Sequence, residues 1–432
     1  MSFRGKISIL ILSVTVALYA VVGGMLSPWA RAQQPINDSG AQLRIFGEVL
    51  QHIQNDYVDP PDLEKVRFGA LRGLAGGLDP YSSYLTAEQV ADYKSNKNTN
   101  KVGIGAEFSQ VSLYLYVVSV TKGSNAEKAG LKSGDVIEYI ENRATRDISL
   151  YDARRMILGD AGTAVNLRVL RSGEKPQTIK VTRGSYKTPP AEVRLEPGKV
   201  GVIKVFSLED GEANDIRNHV QALNKQGVQK IILDLRGVAT GTLNEGVAVA
   251  NLFIKDGDLA KVIGQESKVL RSFSADPAKA VFDGKLVALI DLGTAGAAEV
   301  VASAILDHKR GDVVGERSFG SGTEQQLFTL HGGDGYLLTT AKWASASGSP
   351  FLGNDRNNTG IKPSVEVKRP DTPEPLEVEE LIDQQDEQNQ NPQPAASPSP
   401  AKEPVKPVVE DMQMKKALEL MNDKVQAAKS GA

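Results

Sequence analysis

The chain has 432 residues and a mass of 46.3 kDa, which is enough for two or three domains. Its 50 Lys and Arg residues nearly balance 53 Asp and Glu residues, so the strongly basic surface of a nucleic-acid-binding protein is excluded. The absence of cysteine excludes disulfides, thiolate catalysis and Cys-ligated metal sites. The four histidines are scattered and match no metal-binding pattern, so we expect no metal and no other cofactor.

The N-terminus, residues 1–32, has the layout of a secretory signal peptide. Arg4 and Lys6 precede an uncharged run from Ile7 to Pro28, and Ala30-Arg31-Ala32 supplies small residues for cleavage. The apolar run is also long enough to remain uncleaved as a single membrane anchor. In either case we expect export to the periplasm or the cell envelope.

Residues 33–100 are predicted to form an N-terminal helical region. Apolar residues recur three and four positions apart between Leu43 and Ile53, which is the spacing of an amphipathic helix. Pro60-Pro61 ends this helix, a second helical segment follows, and Thr86 is a typical N-cap for a third. Short helices bury little surface by themselves, so we expect this region to pack on a neighbouring domain or on a second subunit.

Residues 101–184 have the pattern of a small β-rich module with one good helix. The run from Leu113 to Val120 is apolar and β-branched, and Val165, Leu167 and Val169 alternate with polar residues as in a half-buried strand. Leu150–Leu158 is the predicted helix between them.

Strand and helix patterns alternate through residues 185–369. The predicted strands are Val200–Val205, Lys230–Leu235 and Leu286–Asp291, and the predicted helices are Gly211–Gln226, Gly246–Phe253 and Ala297–His308. This alternation indicates an α/β core whose central strands are mainly parallel. The fold class is therefore expected to be a multidomain α+β and α/β protein.

Residues 370–432 form the predicted tail. The stretch from Asp383 to Asn391 contains only Gln, Asp, Glu and Asn, and six prolines follow between Pro392 and Pro407, so we expect a disordered linker. Met412–Met421 is predicted to be a short amphipathic helix. Either it docks loosely on the rest of the chain or it is offered as a peptide to a partner.

The segments from Phe46 to Pro363 together resemble the C-terminal processing (tail-specific) peptidases, a family of Ser–Lys proteases with an embedded PDZ domain. The resemblance is carried, in order, by Tyr57-Val58-Asp59-Pro60, Gly77-Leu78-Asp79-Pro80-Tyr81-Ser82-Ser83-Tyr84-Leu85, Gly103-Ile104-Gly105-Ala106, Asp234-Leu235-Arg236-Gly237 and Val314-Gly315-Glu316. It implies that residues 101–184 are a PDZ domain and that residues 185–369 are a peptidase-like core.

The resemblance implies a peptide-binding site in the PDZ domain. Gly103-Ile104-Gly105-Ala106 is similar to the loop whose backbone N–H groups bind the C-terminal carboxylate of a peptide. Ala106 and Phe108 then lie on the strand that pairs with the peptide, and Met156 lies on the facing helix. The alternative is a PDZ fold that serves only as a spacer or lid.

At the catalytic site the sequence departs from the family. The nucleophilic serine of the family is the third residue of a stretch such as S-A-S-A-S-E, where this chain has Gly296. The general-base lysine lies in F-G-K-G, where this chain has Ser321, whereas the supporting glutamine is matched by Gln325. Glycine has no side chain to attack a carbonyl, and a hydroxyl does not replace an amine as a base.

The third departure lies in the loop that helps to form the oxyanion hole. The family reads N-P-G-G where this chain reads Val238-Ala239-Thr240-Gly241. The resemblance places the oxyanion hole at Thr240, Gly241 and Ala297, and a threonine there adds bulk where backbone N–H groups must approach the substrate.

Two functions follow from these observations, and the sequence leaves both open. The first is a non-catalytic, exported protein that binds peptide C-termini or a partner protease. The second is an active serine-type endopeptidase that cleaves near protein C-termini, either through a catalytic partner subunit or through relocated residues such as Thr294, Ser303 and Lys309. The expected partners are peptides or protein C-termini, an envelope protease or further copies of the chain, and no nucleic acid.

Overall fold

The computed structural model describes residues 39–95, 100–355, 358–369 and 410–422. The predicted signal peptide or anchor and the predicted linker fall on residues that lie outside these ranges. The chain divides into two compact units, residues 1–70 and residues 71–432. Among the described helices, none combines the length and the apolar character that a membrane span requires.

The predicted N-terminal helices are present. Helix α1 is Ser39–Asp56 and helix α2 is Leu63–Gly76. The side chain of Asp62 caps α2, because its Oδ1 accepts hydrogen bonds from the backbone N–H groups of Glu64 and Lys65, both at 3.1 Å. Helix α1 buries none of its own residues.

Helix α3, Ala87–Lys94, begins at the predicted N-cap. Thr86 Oγ1 accepts the N–H of Gln89, and the Gln89 side chain accepts the N–H of Thr86 at 2.9 Å, which makes a complete capping box. The helical pattern of this region does not predict strand β1, Ser83–Leu85, which is fully buried and precedes α3. Because β1 pairs with a strand at least 250 residues away in the chain, the local sequence does not indicate its partner.

The predicted β-rich module is an antiparallel sheet with strand order β2-β3-β4-β6-β7, and β5 pairs with β4. Its elements are β2 Ala106–Val111, β3 Tyr114–Val120, α4 Asn125–Lys128, β4 Val136–Ile140, β5 Arg143–Ala144, α5 Leu150–Ile157, β6 Ala164–Leu170 and β7 Gln177–Thr182. Val165, Leu167 and Val169 alternate into its core and are fully buried. The Ser149 hydroxyl caps α5 by accepting the N–H of Asp152 at 3.1 Å.

The predicted α/β core is also present. Its sheet has the order β17-β14-β13-β10-β9-β8. Its strands are β8 Glu192–Glu196, β9 Val200–Lys204, β10 Lys230–Asp234, β13 Lys285–Ile290, β14 Asp312–Gly315 and β17 Val365–Glu366. Strands β9 to β17 of this sheet run parallel, and β8 is antiparallel to β9. The central strands are continuous apolar runs because both faces of the sheet are covered.

Helices cover each face of this sheet. Those on one face are α6 Glu212–Lys225, α7 Leu243–Asn251 and α8 Ala297–Asp307. On the other face, α9, Met412–Asn422, packs Met414, Ala417 and Met421 against apolar side chains of the central strands. The sequence predicts this helix, but not that its apolar face is part of the core.

A second sheet in the same unit has the order β1-β16-β11-β12, and β15 pairs with β16. Its further strands are β11 Asp258–Ile263, β12 Val269–Ser274, β15 Thr323–Thr329 and β16 Gly335–Ser345, and single 3₁₀ turns lie at Thr145–Asp147, Gln265–Ser267 and Pro277–Lys279. This sheet is not predicted from the sequence. Residues of β12 are mostly exposed, so they lack the apolar pattern that marks a strand.

Candidate active site and peptide groove

A cavity of about 280 Å³ lies between the β-rich module and the α/β core. From the core it is lined by Ala239, Gly241, Ala295, Gly296, Phe319, Ser321, Gly322, Thr323, Gln325 and Trp343, and from the other side by Tyr81, Glu107, Phe108, Val118 and Arg154. The cavity therefore brings together Gly296, Ser321 and Gln325, which the sequence places at the family's catalytic positions.

Gly296 ends the tight turn between β13 and α8. Its backbone has φ +57° and ψ −112°, a conformation that side-chain-bearing residues rarely adopt. A Cβ at this position would lie 3.5 Å from Ser321 Oγ and 3.7 Å from the Trp343 ring, which are ordinary contact distances. The turn thus has room for a side chain, and its strained strand-to-helix geometry is the kind that exposes a nucleophile.

Glu299 holds the Gly296 turn and the Ser321 loop together. Its fully buried carboxylate accepts the backbone N–H groups of Gly296, Gly320 and Ser321, each at 2.8 Å, and the hydroxyl of Ser318. Burial raises the pKa of Glu299 to about 7, and these four donors oppose that rise because they favour the ionised form. Glu299 is not among the site residues predicted from the sequence, although a Glu in the first turn of a helix is a known capping signal.

Gln325 is the predicted site residue that keeps the family's side chain. It lies on β15, and its Nε2 donates to Thr323 Oγ1 at 2.7 Å and to Thr339 Oγ1 at 3.2 Å. These two hydroxyls fix its amide beside the cavity. Ser321 is half-buried, and its hydroxyl faces the vacant side-chain position of Gly296.

The predicted oxyanion residues occupy different places. Gly241 lines the cavity, whereas Thr240 and Ala297 are not among the residues that form its wall. Gly241 has φ +146°, and a Cβ there would lie 2.4 Å from the Leu208 carbonyl oxygen, so this position requires glycine. The carbonyl of Thr240 accepts the N–H of Leu208 at 2.9 Å, which fixes the loop to the neighbouring chain.

The alternative catalytic residues have structural roles. Thr294 is fully buried, and its hydroxyl donates to the Leu235 carbonyl at 3.0 Å. The Ser303 hydroxyl donates to a carbonyl one turn earlier in α8, and Lys309 follows the end of that helix. None of these three residues lines the cavity.

The predicted carboxylate-binding loop precedes β2. Gly105 has φ +84°, and a Cβ there would lie 2.2 Å from the Ser124 Cβ, so only glycine fits. Within the described parts of the chain, the backbone N–H groups of Gly103, Ile104 and Gly105 donate to no carbonyl or side chain. A row of undonated N–H groups is what a carboxylate nest provides.

The other predicted groove residues flank this loop. Ala106 begins β2, and Phe108 and Met156 pack on the core of the module from β2 and α5. Arg154 of α5 reaches across the groove, where its Nη2 donates to the Phe108 carbonyl at 3.1 Å. A peptide that pairs with β2 at this point must replace that hydrogen bond. No cluster of His, Asp and Glu that fits a metal ion occurs among the residues that the structure describes.

Comparison with known proteins identifies the family. Residues 199–367 match peptidase family S41, and residues 116–171 match a PDZ domain. The chain is 30% identical over 327 residues to the carboxy-terminal processing protease CtpA of Bacillus subtilis, which covers 76% of this chain and 69% of the relative. The chain belongs to the C-terminal processing peptidase family.

Two further relatives support this family membership. The carboxy-terminal-processing protease of Bartonella bacilliformis is 29% identical over 334 residues, which is 76% of each chain. The structure of a photosystem II D1 C-terminal processing protease is 26% identical, with a TM-score of 0.61, and the match covers 76% of this chain and 93% of that one. These likenesses confirm the resemblance and the fold expected from the sequence.

Proposed function

We propose that this chain is an exported, non-catalytic member of the C-terminal processing peptidases that binds peptide C-termini or a partner protease. The observation that carries the proposal is the identity of the two cavity residues at the positions of the family's nucleophile and base. Gly296 provides no nucleophile, and Ser321 provides no amine to act as a base. Covalent acyl transfer needs both groups, so the family's route to hydrolysis is interrupted at its first step.

The hydrogen-bonded walls of the cavity support a site that still binds a ligand rather than one that has lost its structure. Glu299 keeps the Gly296 turn and the Ser321 loop tied by backbone hydrogen bonds, and the cavity beside them is open to the PDZ module through Glu107, Phe108 and Arg154. A site with ordered walls and no reactive pair suits a ligand that is held and not cleaved.

The PDZ loop supports recognition of a C-terminus. The N–H groups of Gly103, Ile104 and Gly105 are available to a carboxylate, and Gly105 lets the backbone approach it closely. We expect a free carboxylate and an apolar last residue to be preferred, because a PDZ groove pairs the peptide backbone with a strand and buries its last side chain.

The test is hydrolysis of an unstructured protein with an apolar C-terminus, followed by mass spectrometry over hours. We expect no cleavage by the natural chain or by either single variant, Gly296→Ser or Ser321→Lys. The double variant is the matched control, and weak activity from it shows that the assay detects the restored pair. Cleavage by the natural chain that is abolished by a change at Thr294, Ser303 or Lys309 would overturn the proposal and favour the active endopeptidase.

A further inference from the structure

Three buried carboxylates gather at the carboxyl edge of the central sheet. Asp234 ends β10, Asp291 follows β13, and Glu316 follows β14. These strands are parallel, so their carboxyl ends meet at one edge. The loops 236–241 and 291–296, which supply Ala239, Gly241, Ala295 and Gly296 to the cavity wall, both start at this edge.

Cationic side chains neutralise these carboxylates in pairs. Arg236 is bidentate to Asp234, with Nε to Oδ1 at 2.9 Å and Nη2 to Oδ2 at 2.8 Å, and Lys204 lies 3.3 Å from the same Oδ1. Arg369 bridges Asp291 at 3.1 Å and Glu316 at 3.2 Å. A buried polar network whose members are all hydrogen-bonded is rigid, so it fixes the loops to which these residues belong.

Helix α9 and the residue before it, Asp411, provide further partners of Arg236. The Arg236 Nη1 donates to Asp411 Oδ1 at 2.9 Å and to Gln413 Oε1 at 3.2 Å. Gln413 is fully buried, and its Nε2 donates to the Val367 carbonyl at 2.9 Å. Residues 370–409 lie between the core and α9 in the sequence, and the contacts of Arg236 and Gln413 together with the apolar face of α9 dock the helix on the core.

The loop that begins at Arg236 is bonded directly to the turn that holds Gly296. The N–H of Gly237 donates to Asp291 Oδ1 at 2.9 Å, and the Val238 carbonyl accepts the N–H of Ala295 at 2.9 Å. Two hydrogen bonds made within two residues of Arg236 therefore link this loop to the turn of the candidate site.

We propose that α9 is a positioning element of the candidate active site: Asp411 and Gln413 fix Arg236, and through it they hold loop 236–241 against turn 291–296. The role holds whether the site binds or cleaves its ligand, so it stands apart from the proposed function. The tail helix then sets the order of the cavity wall although it touches no part of the cavity.

The test is amide hydrogen exchange of the full chain carrying Asp411→Asn. Asparagine keeps the N-cap of α9, where the N–H of Met414 now bonds Asp411, and it removes only the charge that faces Arg236. We expect exchange in 236–241 and 291–296 to become about tenfold faster, while 164–182 in the PDZ sheet stays unchanged. The matched control is Glu419→Gln, an exposed position on the same helix.

Each result has one meaning. Faster exchange confined to 410–422 shows a helix that is docked without effect on the site, and it overturns the proposal. Equal acceleration in all segments, the PDZ sheet included, shows general destabilisation and overturns it as well. Asp411→Glu keeps the charge. We expect the two loops of this variant to have at least about half of the protection against amide exchange that they have in the natural chain.

Discussion

The pH dependence of stability at Glu299 is the sharpest test of the site's physical chemistry. The carboxyl is fully buried and no cation pairs with it in the hydrogen-bond network described above, so burial raises its pKa from 4.5 to about 7. At about 1.4 kcal/mol for each pKa unit, this rise corresponds to about 3 kcal/mol of folding free energy.

The sign follows from the protonation of the two states. Below pH 4.5 the carboxyl is protonated in both the folded and the unfolded chain, and its full contribution to stability is present. Between pH 4.5 and about 7 the unfolded chain is ionised while the folded chain keeps its proton, so stability falls as the pH rises across this window, and above about 7 the loss is complete. Glu299→Gln removes this titration, and its stability therefore lacks this loss.

The variant also changes hydrogen bonding. Oε1 accepts the Ser318 hydroxyl and the N–H of Gly320, and Oε2 accepts the N–H groups of Gly296 and Ser321. At pH 5 the folded natural chain holds this carboxyl protonated, and its hydroxyl oxygen can still accept through its lone pairs. An amide NH₂ in either place accepts nothing and leaves two donors without an acceptor, which costs about 2–4 kcal/mol. We therefore expect Glu299→Gln to be less stable than the natural chain at pH 5, and the gap to narrow by up to about 3 kcal/mol at pH 8.

The assay is urea unfolding at pH 5 and pH 8, followed by tryptophan fluorescence, because Trp343 lines the cavity. Glu419→Gln serves as the control, since this exposed side chain is expected to change stability by only a few tenths of a kcal/mol. A gap that widens between pH 5 and pH 8 would refute the reasoning, because it would mean that the four donors outweigh burial and that the folded pKa lies below 4.5.

Further predictions concern the groove, the tail and export. A peptide with a free apolar C-terminus should bind at least about tenfold more tightly than its amide in calorimetry, because charge-assisted hydrogen bonds are lost on amidation, and equal affinities would remove the carboxylate-binding role. Met414→Ala should lower the free energy of unfolding by about 2–4 kcal/mol because that side chain is buried on the central sheet. Lys416→Ala, at a partly exposed position of the same helix, should cost little, and similar small losses for both variants would mean a loosely docked helix. Intact mass of envelope material should place the mature N-terminus at Gln33, and a full-length mass would favour a membrane anchor instead.

The sequence alone determines the α/β core and most helix starts. Lys230–Leu235 and Leu286–Asp291 each contain an uninterrupted apolar run, Ile231–Leu233 and Leu286–Ile290, because buried parallel strands need no polar face. Thr86 is a capping signal that acts within three residues. The departures at Gly296 and Ser321 are equally local, since the identity of a side chain decides whether it can act as a nucleophile or a base.

Only the tertiary structure decides which distant residues meet. Strand β1 pairs with β16, and Glu299 collects donors from two loops, because these partners are brought together by the fold and leave no periodic pattern in the chain. The same holds for α9: its amphipathic pattern predicts a helix, but the choice between a free tail and a core element depends on Arg236 and on the apolar face of the sheet. Local patterns report what a segment prefers, and long-range burial decides what it contacts.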